Sequence, residues 1–145
     1  MSKVFKSPQP KLKARRETSP ISIPKISVSL RYLTTNKNFN FDFFGKNFRD
    51  KATAFEQFAE FLKQLTAKKM LEISTLSKLD VCGFETMPFA QIKFNPDVVI
   101  LGKDTKIHVF RFGTGNNYRM LGFFEREQAV LNIIGFDFNF SAYSH

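Results

Sequence analysis

Apolar and polar residues alternate from Ile26 onward. Ile26, Val28, Leu30 and Tyr32 fall on one face of an extended chain, with Ser27, Ser29 and Arg31 on the other. A period of two marks a half-buried strand. Thr34-Thr35-Asn36-Lys37 predicts a turn, because asparagine tolerates the left-handed backbone and can close an Asx-turn. Alternation then resumes, with Phe39, Phe41 and Phe43 set against Asn38, Asn40 and Asp42. Residues 26–43 therefore predict a β-hairpin that ends near Gly45.

The period changes next. Phe55, Phe58, Leu62 and Leu65 follow helical spacing, and Thr53 and Glu56 fit a capping box, with Asp50 as an alternative cap. A second helix is expected from about residue 68 to 78, with Ile73 and Leu76 inward. Residues 80–104 are punctuated by Gly83, Pro88, Pro96 and Gly102, with short strands expected at 91–94 and 98–101. Three strands close the chain, at 106–112, 118–124 and 129–140. The loop Gly113-Thr114-Gly115-Asn116-Asn117 between the first two has residues that accept positive φ. The last strand is apolar on both faces at first, as a strand covered on both sides should be. The predicted class is α+β: a small antiparallel sheet, made of the N-terminal hairpin and three C-terminal strands, packed on two helices.

Composition refines this picture at three points. The chain has 145 residues and 19 Phe, enough for one domain with a substantial core, expected over residues 25–145. Net charge is +9, but residues 1–25 hold seven basic residues and one acid, so the other 120 residues carry only +3. A basic, disordered tail is expected over residues 1–24, able to touch nucleic acid or acidic surfaces by charge or to remain merely solvated. Cys82 is the sole cysteine, which excludes an internal disulfide and a multi-cysteine metal site. No apolar run is long enough to span a bilayer, and no apolar stretch follows the first lysines, so a cytoplasmic protein without membrane partners is expected.

Familiar catalytic signatures are missing: there is no phosphate-binding G-x-x-x-x-G-K-[ST], no H-E-x-x-H and no G-x-S-x-G. With two histidines in all, no metal or other cofactor is expected. What remains is a polar set on and after the last three strands: Lys106, His108, Arg111, Arg119, Tyr143 and His145. Parity places Lys106 and His108 on one face of their strand and Arg111 on the other, so they cannot all serve one site unless a bulge intervenes.

Lys106-Ile107-His108-Val109, then Tyr118-Arg119-Met120-Leu121, then Val130 to Gly135 followed by Tyr143, together resemble the RelE/ParE superfamily of bacterial toxins over about residues 26–145. The resemblance implies a small sheet with two helices and three final antiparallel strands. It implies a RelE-like toxin that cuts RNA without metal, by attack of a 2′-OH on the neighbouring phosphorus. Its partners would be RNA or the ribosome, and a cognate antitoxin protein. Carried over by position, Arg119 would stabilise the phosphoryl charge, Tyr143 and His145 would move protons, and Lys106 and His108 would hold phosphate; Arg111, on the opposite face, is a further RNA-binding candidate. One departure stands out. The family's nucleases place Arg or Lys after the glycine, where this chain has Phe136-Asp137-Phe138-Asn139-Phe140. The alternative is a non-enzymatic module that binds protein or nucleic acid on the same kind of scaffold, as ParE-like members act on gyrase. In that case Arg119 is a strand arginine paired with an acid, and Tyr143 an aromatic anchor.

Overall fold

The structure is a computed structural model that describes residues 24–43, 51–125 and 128–144. Its elements are β1 (Ser27–Ser29), α1 (Lys51–Thr66), the single turn α2 (Met70–Ile73), β2 (Phe84–Pro88), β3 (Lys106–Phe112), β4 (Tyr118–Glu125) and β5 (Val130–Asp137). The five strands form one sheet in the order β1-β5-β4-β3-β2. β1 runs parallel to β5, and every other neighbouring pair is antiparallel. The fold is α+β, but the sheet is mixed rather than antiparallel.

The expected N-terminal hairpin does not form. Its polar positions explain why. Asn36 Oδ1 accepts the N–H of Asn38 at 3.0 Å, and Asn40 Oδ1 accepts the N–H of Asp42 at 2.9 Å. Short amides that capture the backbone two residues on compete with a ladder and fold the chain into successive turns. The segment instead passes along β5: Thr34 N–H donates to the Ile134 carbonyl at 2.8 Å, and Phe136 N–H to the Phe39 carbonyl at 2.9 Å. It wraps the sheet as it goes. Phe39 stacks on Phe94 in one layer, at 4.6 Å, while Phe41 packs on Phe58 and Phe136 in the other. The three phenylalanines thus do not share a face.

α1 buries Ala54, Phe58, Phe61 and Leu65, a stripe of spacing four, three, four. The expected stripe ran through Phe55, which is 41% exposed. The helix is already under way at Lys51, so Thr53 does not cap it; Asp50 lies outside the described residues. Phe58 meets Phe41, Phe112 and Phe136 within 6 Å. Each such ring contributes roughly 2–3 kcal/mol by leaving water. The second helix is shorter than expected, started by Glu72, whose carboxylate accepts the Lys69 N–H at 2.7 Å.

Strands expected at 91–94 and 98–101 are absent, while β2 went unpredicted. β2 has only five residues and ends in Pro88, which an edge strand tolerates. Ile92 and Phe94 are buried without a ladder. The backbone there bonds the chain ends instead: Lys93 N–H donates to the Ala142 carbonyl and Asp97 N–H to the Tyr32 carbonyl.

The sheet separates two cores. Phe110, Phe112, Met120, Leu131, Ile133 and Phe136 face α1. Ile107, Val109, Leu121 and Ile134 face the other way, covered by Phe39, Ile92, Phe94, Ala142 and Tyr143. β5 is buried from Leu131 to Asp137, as its two-sided apolar run predicts. A register shift between Leu121 and Gly122 brings Gly135 opposite Leu121. A Cβ on Gly135 would lie 2.4 Å from the Phe94 ring, so only glycine lets that ring close on β5. The expected basic tail, residues 1–24, lies outside the described residues except for Pro24. No described helix is long and apolar enough to cross a membrane.

Candidate functional site

The face turned away from α1 carries a row of charges across the sheet. On β3 and β4, Arg111 is directly opposite Arg119; on β4 and β5, Arg119 is directly opposite Asp137. Like charges in opposed positions destabilise a sheet. Here acids flank the pair. Glu85 of β2 accepts from Arg111 Nη2 at 3.3 Å, and Lys78 Nζ stands 3.6 Å from the other Glu85 oxygen. The order across the sheet is acid, arginine, arginine, acid.

After β5 the chain folds back over this row. Asp137 Oδ1 accepts the N–H of Asn139 at 3.3 Å and of Ser141 at 2.9 Å. Phe140 adopts a left-handed backbone, with φ of 61°, and its ring lies 5.3 Å from the Arg119 guanidinium carbon. Tyr143 then drops into the second core. The Arg119 guanidinium donates to the Tyr143 hydroxyl. Burial pushes the phenol's pKa up, more than the Arg119 bond and charge pull it down, and Glu85 and Asp137 add to the rise. Tyr143 is therefore a neutral O–H at neutral pH and a weaker acid than an exposed phenol.

Arg119 is almost wholly buried, at 6% exposure, and Tyr143 at 5%. Arg119 Nη1 also donates to the Asn116 carbonyl at 2.7 Å, which ties β4 to the turn before it. That turn runs at positive φ through Gly113, Gly115 and Asn116, as its composition predicts. A Cβ on Gly113 would lie 2.1 Å from the Tyr118 ring. Arg119 Nε and Arg111 Nε are buried without a partner among the described residues.

Lys106 and His108 stand apart from this cluster, as parity requires. His108 faces α1, with its ring 4.7 Å from those of both Phe84 and Phe124. Burial first, and then the Lys106 charge, lower its pKa to about 4, so it is neutral at physiological pH. Its Nδ1 has no hydrogen-bond partner among the described residues. Lys106 is exposed at the start of β3, the opposite end from Arg111. His145 lies outside the described residues. Of the six residues singled out in the sequence, the structure brings together Arg111, Arg119 and Tyr143.

Three members of the cluster were not singled out. Glu85 sits in the unpredicted strand. Asn116 acts through its carbonyl, which any residue type supplies. Asp137 entered only as part of the cation-free stretch after the glycine, and its place opposite Arg119 depends on the register shift between Leu121 and Gly122. No group of three or more His, Cys, Asp or Glu able to hold a metal occurs among the described residues.

Comparison with protein-family models, with curated proteins and with solved structures finds no match to this chain.

Proposed function

We propose that the chain is a RelE-like toxin that cleaves RNA through the Arg111, Arg119 and Tyr143 cluster. One observation carries this reading: Arg119 donates to Tyr143 and stands directly opposite Arg111, so two guanidinium groups and a proton donor converge on one face. In the proposed step the RNA 2′-oxygen bonds to the adjacent phosphorus and the bond to the 5′-oxygen breaks. The products are a 2′,3′-cyclic phosphate and a 5′-hydroxyl. The arginines stabilise charge on the non-bridging oxygens. Tyr143 gives its proton to the departing 5′-oxygen, and the Glu85 carboxylate, on the same face, takes the proton of the 2′-hydroxyl. RNA reaches Arg119 when residues 138–141 lift from it while Tyr143 stays seated. Such a toxin works in the cytoplasm, and an antitoxin protein would hold it inactive.

A second reading is favoured by burial. Arg119 and Tyr143 are nearly closed off from solvent, as a structural clamp for the C-terminal segment would be. The chain is then a non-enzymatic protein- or nucleic-acid-binding module. One experiment separates the two: incubate RNA, with and without ribosomes, with wild-type protein, Arg119→Ala and Tyr143→Phe. The nuclease reading expects cyclic-phosphate ends and a loss of roughly 10²–10³-fold with Arg119→Ala. Intact RNA with the folded wild type, under both conditions, leaves the binding module.

A further inference from the structure

The stretch of chain that passes over Arg119 is short and fixed at both ends. On one side Asp137 is fully buried in β5, and the Phe138 ring packs on those of Phe43, Tyr118 and Phe136. On the other, Ala142 is fully buried, its carbonyl accepts the Lys93 N–H at 2.8 Å, and Tyr143 sits in the second core. Asn139, Phe140 and Ser141 lie between these anchors. Asp137 Oδ1 holds them by the Ser141 N–H at 2.9 Å and the Asn139 N–H at a longer 3.3 Å. The Ser141 hydroxyl bonds Asn139 Oδ1 inside the stretch, so that bond survives if the stretch moves as a unit.

The closed arrangement carries two costs. Phe140 lays its ring toward the Arg119 guanidinium but remains 50% exposed, and its φ of 61° is unfavourable for any residue with a side chain. Arg119 is also left short of one acceptor. Its guanidinium reaches the Asn116 carbonyl and the Tyr143 hydroxyl, yet its Nε is shut off from water with no acceptor among the described residues. The same holds for Nε of Arg111, directly opposite on β3. Two buried donors without acceptors, side by side on one face, call for an explanation.

We propose that Asn139–Ser141 is an autoinhibitory strap, closed over Arg119 in the free protein and displaced by a phosphodiester of RNA, whose non-bridging oxygens give the two Nε–H groups their acceptors. The proposal rests on the RNA-cleaving reading above and adds its regulation. Opening gives up the ring contact and the two bonds to Asp137, and in return relieves the backbone at Phe140 and satisfies both arginines. Phe138 keeps its ring in the core and acts as one hinge, with Ala142 as the other. Tyr143 therefore keeps its bond to Arg119 while the strap is open. A site that must open first binds more weakly in proportion to the fraction of molecules that are open. Weakening the closed strap thus strengthens binding, whereas damage to a contact that only builds the site weakens it.

The test uses the full chain and a fluorescent 2′-O-methyl RNA oligonucleotide, which lacks the attacking hydroxyl and stays intact. Phe140→Ala loses the ring but keeps the strained backbone, so it is expected to bind about fivefold tighter than wild type by fluorescence anisotropy. Phe140→Gly loses the ring and relaxes the closed backbone, so its gain is expected to be smaller. Adding Arg111→Gln to either variant should erase the gain. A measurement on the wild type needs no variant to fold: saturating oligonucleotide should speed amide hydrogen exchange at Ser141, whose N–H leaves Asp137 on opening. Weaker or unchanged binding by Phe140→Ala, a gain that survives Arg111→Gln, or slowed or unchanged exchange at Ser141 overturns the strap. Cleavage of ordinary RNA is scored separately. Cutting by the wild type without these changes sinks the strap and leaves the nuclease. The changes without any cutting support the strap and sink the nuclease.

Discussion

Arg119 on β4 and Asp137 on β5 are opposed across the ladder, and both are nearly or fully removed from solvent. Asp137 is more than a counter-charge, because its Oδ1 also accepts two backbone N–H groups of the returning C-terminal segment. One carboxylate thus balances the arginines and shapes the fold-back that covers them.

Asp137→Ala should therefore cost roughly 3–5 kcal/mol, as loss of one partner of a buried charge set does. Asp137→Asn keeps an acceptor oxygen for the turn and should cost distinctly less. Urea unfolding of the two variants checks this. Equal and small losses would show that the carboxylate charge is not what Arg119 needs.

His108 makes stability depend on pH in a definite direction. Its folded pKa of about 4 lies below the ordinary 6.5, so the unfolded chain binds the proton more readily. The associated stability is fully present above pH 6.5 and declines as pH falls toward 4. After allowance for screening, the loss is roughly 2 kcal/mol. Thermal unfolding of wild type and His108→Leu between pH 7.5 and about 4 measures it, and the variant should lack this part of the slope.

Phe140 combines a favourable ring contact with an unfavourable backbone. Replacement by alanine removes the ring from Arg119 but keeps a side chain at φ of 61°. Replacement by glycine removes the ring and relieves the backbone. Phe140→Gly should be more stable than Phe140→Ala by about 1 kcal/mol. The reverse order in chemical denaturation would mean that the left-handed conformation is not retained in solution.

Gly135→Ala should destabilise by roughly 1–3 kcal/mol, since the new methyl group meets the Phe94 ring, itself stacked on Phe39. Phe94→Ala removes the obstacle. The double variant should then lose less than the two single losses added together, and a double-mutant cycle reads that coupling. Strict additivity would argue against the contact.

Strands β3, β4 and β5 were legible because each is long, apolar and bounded by turn residues. The convergence of Arg111, Arg119 and Tyr143 was only half legible. Parity put Arg111 on the face opposite His108, but the bulge at Leu121 and Gly122 and the fold-back after Asp137 are tertiary events. The segment from Phe39 to Phe43 was misread for a local reason. Asparagine at the polar positions satisfies strand alternation on paper, yet its amide closes turns. β2 was illegible because five residues ending in proline carry too little periodic signal.

The parallel pairing of β1 with β5 has a consequence for how the chain is made. Ser27 must wait for Val130, its partner in the register, which lies about a hundred positions further along. At synthesis rates of roughly 5–20 residues per second, that interval lasts roughly 5–20 seconds. β5, which joins β1 to β4 in the sheet, is also the last of the five to emerge. Until it does, β1 has no ladder to join and the β4 edge stands open, so the nascent protein is exposed to aggregation until synthesis is nearly complete.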